Sequence, residues 1–266
     1  MRQIYQMIPP LYKLSIPIRK LDPEIMDGED FSPREYEKTL EELELINRLT
    51  NGYQPTLQAL DDLLQLLQKT NRTDGKEKKK RNIRILDIGF GYGDTLRAIS
   101  RWAEAKKIPV ELIGVDLNPQ ARRLAEKATP DEMGIRYLTA DVFKMPTVNG
   151  GFDVIVNSLF MHHLRDQEIV RVLRWMTENA KLGWVINDLH RHPIAYHFIK
   201  HATKLTGFSR LICNDAPLSV ERSFRRSDWR GYLAEAGLPE SAVSIRWHFP
   251  FRYGLTCDTR ELRQGR

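Results

Sequence analysis

Cysteine is nearly absent from the chain: Cys213 and Cys257 are the only two. That scarcity excludes a small secreted scaffold held by disulfides and points to free thiols in a reducing compartment. Long apolar runs are missing too. No stretch reaches the ~18 uninterrupted apolar residues of a membrane span, so no integral membrane association is expected. Residues 1–20 have the outline of a leader peptide, but Pro9, Pro10 and Lys13 break its apolar core. The expectation is a cytoplasmic protein. There are no internal repeats and no low-complexity tracts. Neither charge sign dominates: 41 basic against 35 acidic residues leave +6, which permits a nucleic-acid partner without demanding one.

What the chain does have is a globular balance, 41% hydrophobic and 29% charged over 266 residues, enough for one large α/β domain with appendages. Its charge is unevenly placed. Residues 22–45 carry ten acidic side chains against Arg34 and Lys38, while Lys-Glu-Lys-Lys-Lys-Arg at 76–81 reads as a solvated linker. Residues 1–80 form a first unit, an arm and helices packing on the rest of the chain. Ser32-Pro33-Arg34-Glu35 is a capping box with proline at the first helical position. Tyr36, Leu40, Leu43 and Ile46 then recur at helical spacing. Asn51-Gly52 marks a turn, and a second helix from near Pro55 shows Leu57, Leu60, Leu64 and Leu67 on one face.

From Asn82 the pattern changes, and residues 81–266 read as the second unit. Short apolar runs at 83–88, 110–115, 135–140, 152–157 and 182–187 alternate with helical segments. Such alternation predicts an α/β fold, a doubly wound and mostly parallel sheet with helices on both faces. Residues 189–225 read as a helical insertion after the fifth strand. A helix near 227–236 stops at Gly237, and strands at about 242–248 and 251–257 flank Pro250 as an antiparallel pair.

In such sheets ligands bind at the carboxyl ends of the strands, near the switch in strand order. The first strand runs into Gly89-Phe90-Gly91-Tyr92-Gly93, where glycines allow a sharp turn and a close approach to a ligand. The Gly-x-Gly-x-Gly spacing differs from the Gly-x-Gly-x-x-Gly of dinucleotide sites, which argues against a nicotinamide-dependent oxidoreductase. Asp116 ends the second strand, where a carboxylate takes ribose hydroxyls. Asp141 follows the third, where it can accept an adenine amine beside apolar Val142. No Walker-type lysine is present for a triphosphate.

Asp87-Ile-Gly-Phe-Gly-Tyr-Gly93, Val115-Asp116, Ala140-Asp141 and Phe152-Asp-Val-Ile-Val-Asn157 resemble the successive motifs of class I S-adenosylmethionine-dependent methyltransferases. The resemblance implies a seven-stranded Rossmann-like sheet with S-adenosylmethionine as cofactor. It places Gly89, Gly91 and Gly93 against the methionine and ribose, and Asp116 with neighbouring Leu117 at the ribose. Asp141 and Val142 fall at the adenine, Asn157 at the methionine end, and Asp87 at the methionine amine or ordering the glycine loop.

For a hydroxyl acceptor the protein must also remove a proton. Six of the seven histidines cluster, as His162-His163 after strand four and as His190, His192, His197 and His201 after strand five. His190 is the first choice for general base and His162 the second. No Cys or Glu completes an evident ligand set around them, so no metal is expected. The Asp/Asn-Pro-Pro-aromatic loop of base-amine methyltransferases is replaced by Asn157-Ser158-Leu159-Phe160, which disfavours nucleic acid.

Asp188-Leu-His-Arg-His-Pro193 and Asp215-Ala-Pro-Leu-Ser-Val220 are similar to segments of bacterial small-molecule methyltransferases of the quinone and phenolic-polyketide type. That similarity implies O-methylation of a small phenolic or lipid-like acceptor. The alternatives are an RNA methyltransferase and a cofactor-binding domain without catalysis. The apolar N-terminal helices leave a homodimer open.

Overall fold

Ile83–Ile88 forms strand β1 within a seven-stranded sheet, where Ile85 on one face and Leu86 with Ile88 on the other demand cover by helices. The computed structural model describes residues 16–28, 30–73, 82–145 and 151–264. The Lys-rich run at 76–81 lies outside the described residues. Strands β2 (Val110–Asp116), β3 (Arg136–Thr139), β4 (Phe152–Ser158), β5 (Ala180–Leu189), β6 (Val243–His248) and β7 (Arg252–Asp258) complete the sheet in the order β3-β2-β1-β4-β5-β7-β6. The first five are mutually parallel. β7 runs antiparallel to both β5 and β6. Strand order reverses between β1 and β4, so the carboxyl ends of those strands border a crevice.

Helices α1 (Pro33–Leu49) and α2 (Gln54–Thr73) precede the sheet. Ser32 caps α1 as its sequence predicts, with Oγ accepting from the Glu35 N–H at 3.2 Å and the Glu35 carboxylate accepting from the Ser32 N–H at 3.0 Å. α2 buries Leu60, Leu63 and Leu64 against Ile85, Val154 and Val185, and so belongs to one covering layer of the sheet. α3 (Asp94–Lys106) adds Leu96 and Ile99 to that layer, and α4 (Pro119–Ala128) adds Ala121 and Ala125.

The opposite face holds Leu86, Ile155, Trp184 and Ile186 under α5 (Asp166–Asn179) and α8 (Arg226–Glu235). The insertion folds into α6 (Pro193–Leu205) and α7 (Arg210–Arg222), packed on each other, and α7 also touches α1 and the turns at 25–27 and 161–163. A short α9 (Thr259–Gln264) follows β7. No described helix is long and apolar enough to cross a membrane.

Candidate functional site

Beyond β1 the chain turns through Gly89, Gly91 and Gly93 at φ +69°, +52° and +72°, the left-handed region in which a side chain is strained. The three differ in their surroundings. A Cβ on Gly89 would collide with the Phe160 ring, and one on Gly93 with the Tyr137 phenol, whereas one on Gly91 would meet nothing within 4 Å. Gly89 and Gly93 are therefore required by packing. Gly91 faces open space, and its N–H donates to Asp116 Oδ2 at 3.0 Å. Gly93 then leads into α3 without a side-chain cap, so the first N–H groups of that helix stay available near the turn.

Asp116 Oδ1 accepts from the Asn118 N–H at 2.9 Å, and the Leu117 N–H also points at the carboxylate, whose two oxygens still keep lone-pair capacity for another partner. Burial pushes its pKa up, and these backbone N–H groups hold it back. Leu117 stands 70% exposed beside it. Asp141 caps the turn Val142–Lys144 by accepting from the Phe143 N–H at 3.0 Å, and Val142 is buried under it.

Two further acceptors at these strand ends lack partners. Asp87 is buried, its Oδ1 has no hydrogen bond, and burial followed by the charges of Asp94 and Asp116 raises its pKa well above the carboxylate range. On the neighbouring strand Asn157 is fully buried, with Oδ1 unpaired and Nδ2 reaching the Ile88 carbonyl only at 3.4 Å. Unpaired buried acceptors are costly and mark places built to receive donors from elsewhere.

The histidines divide into two groups. His190 is half-buried. Its Nδ1 accepts from Trp247 Nε1 at 3.2 Å, and its ring meets the edge of Tyr253. Burial, aided by His192, Arg225 and Arg191, lowers its pKa to about 4. The ring is therefore neutral with its proton on Nε2, and its lone pair is already engaged.

His162 is buried in the turn Met161–His163 after β4. Its Nδ1 lies 2.8 Å from Asp188 Oδ1, and its own N–H donates to Asp188 Oδ2 at 3.3 Å. Burial pushes Asp188 up, but the His162 charge and hydrogen bond outweigh it, so the carboxyl stays ionised below its ordinary value. An ionised partner at Nδ1 leaves the His162 lone pair on Nε2. Between the two preferred histidines, the geometry thus favours His162 over His190.

Sequence spacing also misses the residues that surround His162. Glu24, from the segment before α1, lies 3.8 Å from His162 Nε2, and its Oε1 accepts from Ser219 Oγ at 2.8 Å. Burial, together with the charge of Asp27, raises Glu24 to about 7. His163 Nδ1 meets Asp27 Oδ1 at 2.8 Å. Burial pushes Asp27 up, yet the His163 hydrogen bond and charge overcome it and bring that carboxyl to about 2. Sequence spacing could not bring a Glu to the histidines. Glu24, His162 and His163 come together, although 136 residues separate Asp27 from His163.

Residues 85–183, from within β1 to within β5, match the family model of the methyltransferase domain. This part of the chain is similar to a methyltransferase domain. It is similar to ajmaline N-methyltransferase from Rauvolfia serpentina, 29% identical over 124 residues, which are 44% of this chain and 40% of that one. A Methanocaldococcus jannaschii protein whose name carries protein N5-glutamine methylation is 33% identical over 130 residues, 48% of this chain and 59% of that one. The chain thus spans between 40% and 59% of the length of these two relatives. Among solved structures, the plantazolicin methyltransferase in complex with S-adenosylhomocysteine superposes at TM-score 0.54 with 15% identity, covering 83% of this chain and 89% of that one. At that identity the methyltransferase fold is what the two share.

Proposed function

We propose that the chain binds S-adenosylmethionine at the carboxyl ends of β1, β2 and β3 and transfers its methyl group to a small acceptor. One observation carries this reading: the glycine turn is open only at Gly91, and that opening lies beside Asp116. The residues there suit the cofactor. Asp116 has lone pairs left for ribose hydroxyls, Asp141 with Val142 and Leu117 suits an adenine, and the unpaired acceptors of Asp87 and Asn157 suit a methionine amine and its surroundings. Bound there, S-adenosylmethionine supplies a methyl group on a sulfonium already activated for in-line displacement.

The chain's own work is then to align the acceptor and manage its proton. His162, oriented by Asp188, is the acceptor-side histidine in this reading, because its Nε2 retains a lone pair whereas that of His190 is engaged. The acceptor's apolar surface has a counterpart in an open groove of about 760 Å³ along α6, lined by Ile194, His197, Phe198, His201 and Leu205. An apolar groove suits a phenolic or lipid-like acceptor, and methylation at oxygen is the reading that gives His162 a proton to take. A nitrogen acceptor is the second reading, favoured by the likeness to ajmaline N-methyltransferase.

Calorimetric titration with S-adenosylmethionine, S-adenosylhomocysteine and NAD tests the cofactor assignment. The sulfur compounds should bind and NAD should not, with Asp116→Ala weakening binding about ten- to a hundredfold for loss of a charged contact. Absence of binding, or a preference for NAD, would sink the proposal. Transfer of labelled methyl to phenols against secondary amines then separates oxygen from nitrogen.

A further inference from the structure

Arg222 lies among the carboxyls around His162 and His163. Its guanidinium is 4.0 Å from Glu24 and 3.1 Å from Asp27, and its other N–H groups go to the carbonyls of Asp22, His162 and His163. Glu24 and Asp27 therefore share this guanidinium beside two imidazoles, tilted by 35° with centroids 4.3 Å apart, and Asp188 pairs with the first of them, His162. A divalent cation is the kind of ion that such a mix of carboxylates and imidazoles can hold.

The imidazoles are set up to receive one. Each gives its Nδ1 to a carboxylate at 2.8 Å, His162 to Asp188 and His163 to Asp27, which leaves each Nε2 lone pair for another partner. This carboxylate–histidine pairing is how proteins fix the tautomer and orientation of metal-bound histidines. Glu24, buried and held by Ser219, brings the third ligand. One ligand atom from each of Glu24, His162 and His163 lies within 4.8 Å of the other two. Bonds of ~2.0–2.1 Å in tetrahedral geometry place donor atoms roughly 3.3 Å apart, so small side-chain rotations close the set.

We propose that Glu24, His162 and His163 form a binding site for a divalent transition-metal ion of the zinc class, oriented by Asp188 and Asp27. Two nitrogens and one carboxylate suit zinc and its neighbours better than calcium or magnesium, which favour all-oxygen sets. Three protein ligands leave a fourth position for water or an acceptor atom. The ion fastens the segment before α1 to the turn after β4. That segment is already docked by Asp215, which accepts the N–H groups of Ile25 and Met26 at 3.0 Å. An ion and an acceptor's proton are alternatives at the His162 Nε2 lone pair, so with the ion bound its fourth position faces the acceptor instead; the test uses neither methyl donor nor acceptor.

The full chain, stripped by chelator and dialysed, is titrated with Zn²⁺ against a chromophoric chelator, and separately with Co²⁺ while visible d–d absorption is followed. The expected result is one ion per chain and Co²⁺ bands of tetrahedral N/O type. Glu24→Gln and His162→Gln should abolish binding, and Asp188→Asn should weaken it about ten- to a hundredfold. His197→Ala and His201→Ala, on α6, should leave it unchanged. Circular dichroism confirms that each variant folds, and the Co²⁺ spectrum of the unaltered chain stands even if one does not. No Zn²⁺ binding by the unaltered chain, undiminished binding in folded Glu24→Gln, or loss of binding in His197→Ala would overturn the proposal.

Discussion

Trp247 Nε1 donates to His190 Nδ1 at 3.2 Å, and this single contact decides which histidine has a free lone pair. With Nδ1 occupied and Nε2 protonated, His190 can donate but not accept. Replacing it by Gln should leave kcat/KM within a few-fold, whereas His162→Ala should lower it by roughly 10²–10⁴-fold, the usual contribution of a proton-transfer residue. Steady-state kinetics on a methyl acceptor decides this. A collapse of activity in His190→Gln would restore the order the sequence suggests.

Burial of His190 also has a pH consequence. Its pKa is about 4 in the fold and near 6.5 in the unfolded chain. Between those values the unfolded state binds the extra proton, so the stability is fully present above pH ~6.5 and is lost as pH falls through about 4. His192 and His248, lowered by burial in the same direction, add to it. Half-exposure discounts the effect of His190 to about 1 kcal/mol or less. Urea unfolding at several pH values should show a flatter acid limb in His190→Gln than in the unaltered chain.

Asp87 works in the opposite sense. Its pKa is raised in the fold, so the unfolded chain gives up its proton first and stability falls as pH rises above the ordinary carboxylate range. Asp87→Asn removes that penalty. The variant should unfold about 1–2 kcal/mol harder at neutral pH while binding S-adenosylhomocysteine more weakly. Thermal unfolding and calorimetry measure the two together. Unchanged affinity would remove Asp87 from the cofactor site.

The glycine turn separates packing from binding. Gly93→Ala combines a left-handed φ with a collision at Tyr137 and should cost about 2–4 kcal/mol of stability. Gly91→Ala meets no neighbour and should cost about 1–2 kcal/mol, while its methyl group intrudes on the open side of the turn. Cofactor affinity should therefore drop more than stability in Gly91→Ala. Equal losses in both variants would mean the turn is only structural.

Much of this arrangement was legible in local sequence. The limits of β1 coincide with an apolar run bounded by glycine, and α1 begins where Ser32, Pro33 and Glu35 say it should. β5 extends beyond its predicted 182–187 at both ends. Ala180 pairs with Phe152, and Leu189 pairs with Arg252 of β7, contacts that no local pattern announces. β3 is shorter than predicted because only residues 136–139 find partners on β2. The three aspartates at strand ends lie where alternation placed them. The histidines could not be ranked in the same way, since the proton position in His190 depends on Trp247, and the surroundings of His162 depend on Glu24 and Asp188. Those relationships are made by tertiary packing and have no signature within a window of sequence.

The cluster around His162 also carries a timetable. Glu24 emerges early in synthesis, whereas Arg222, which donates to the carbonyls on both sides of the His162–His163 peptide bond, emerges 198 residues later. At ~5–20 residues per second that is a wait of about 10–40 s. β1 to β5 are all made within the interval. The segment bearing Glu24 must therefore remain unattached while most of the sheet is laid down, and it closes over a turn that is already in place.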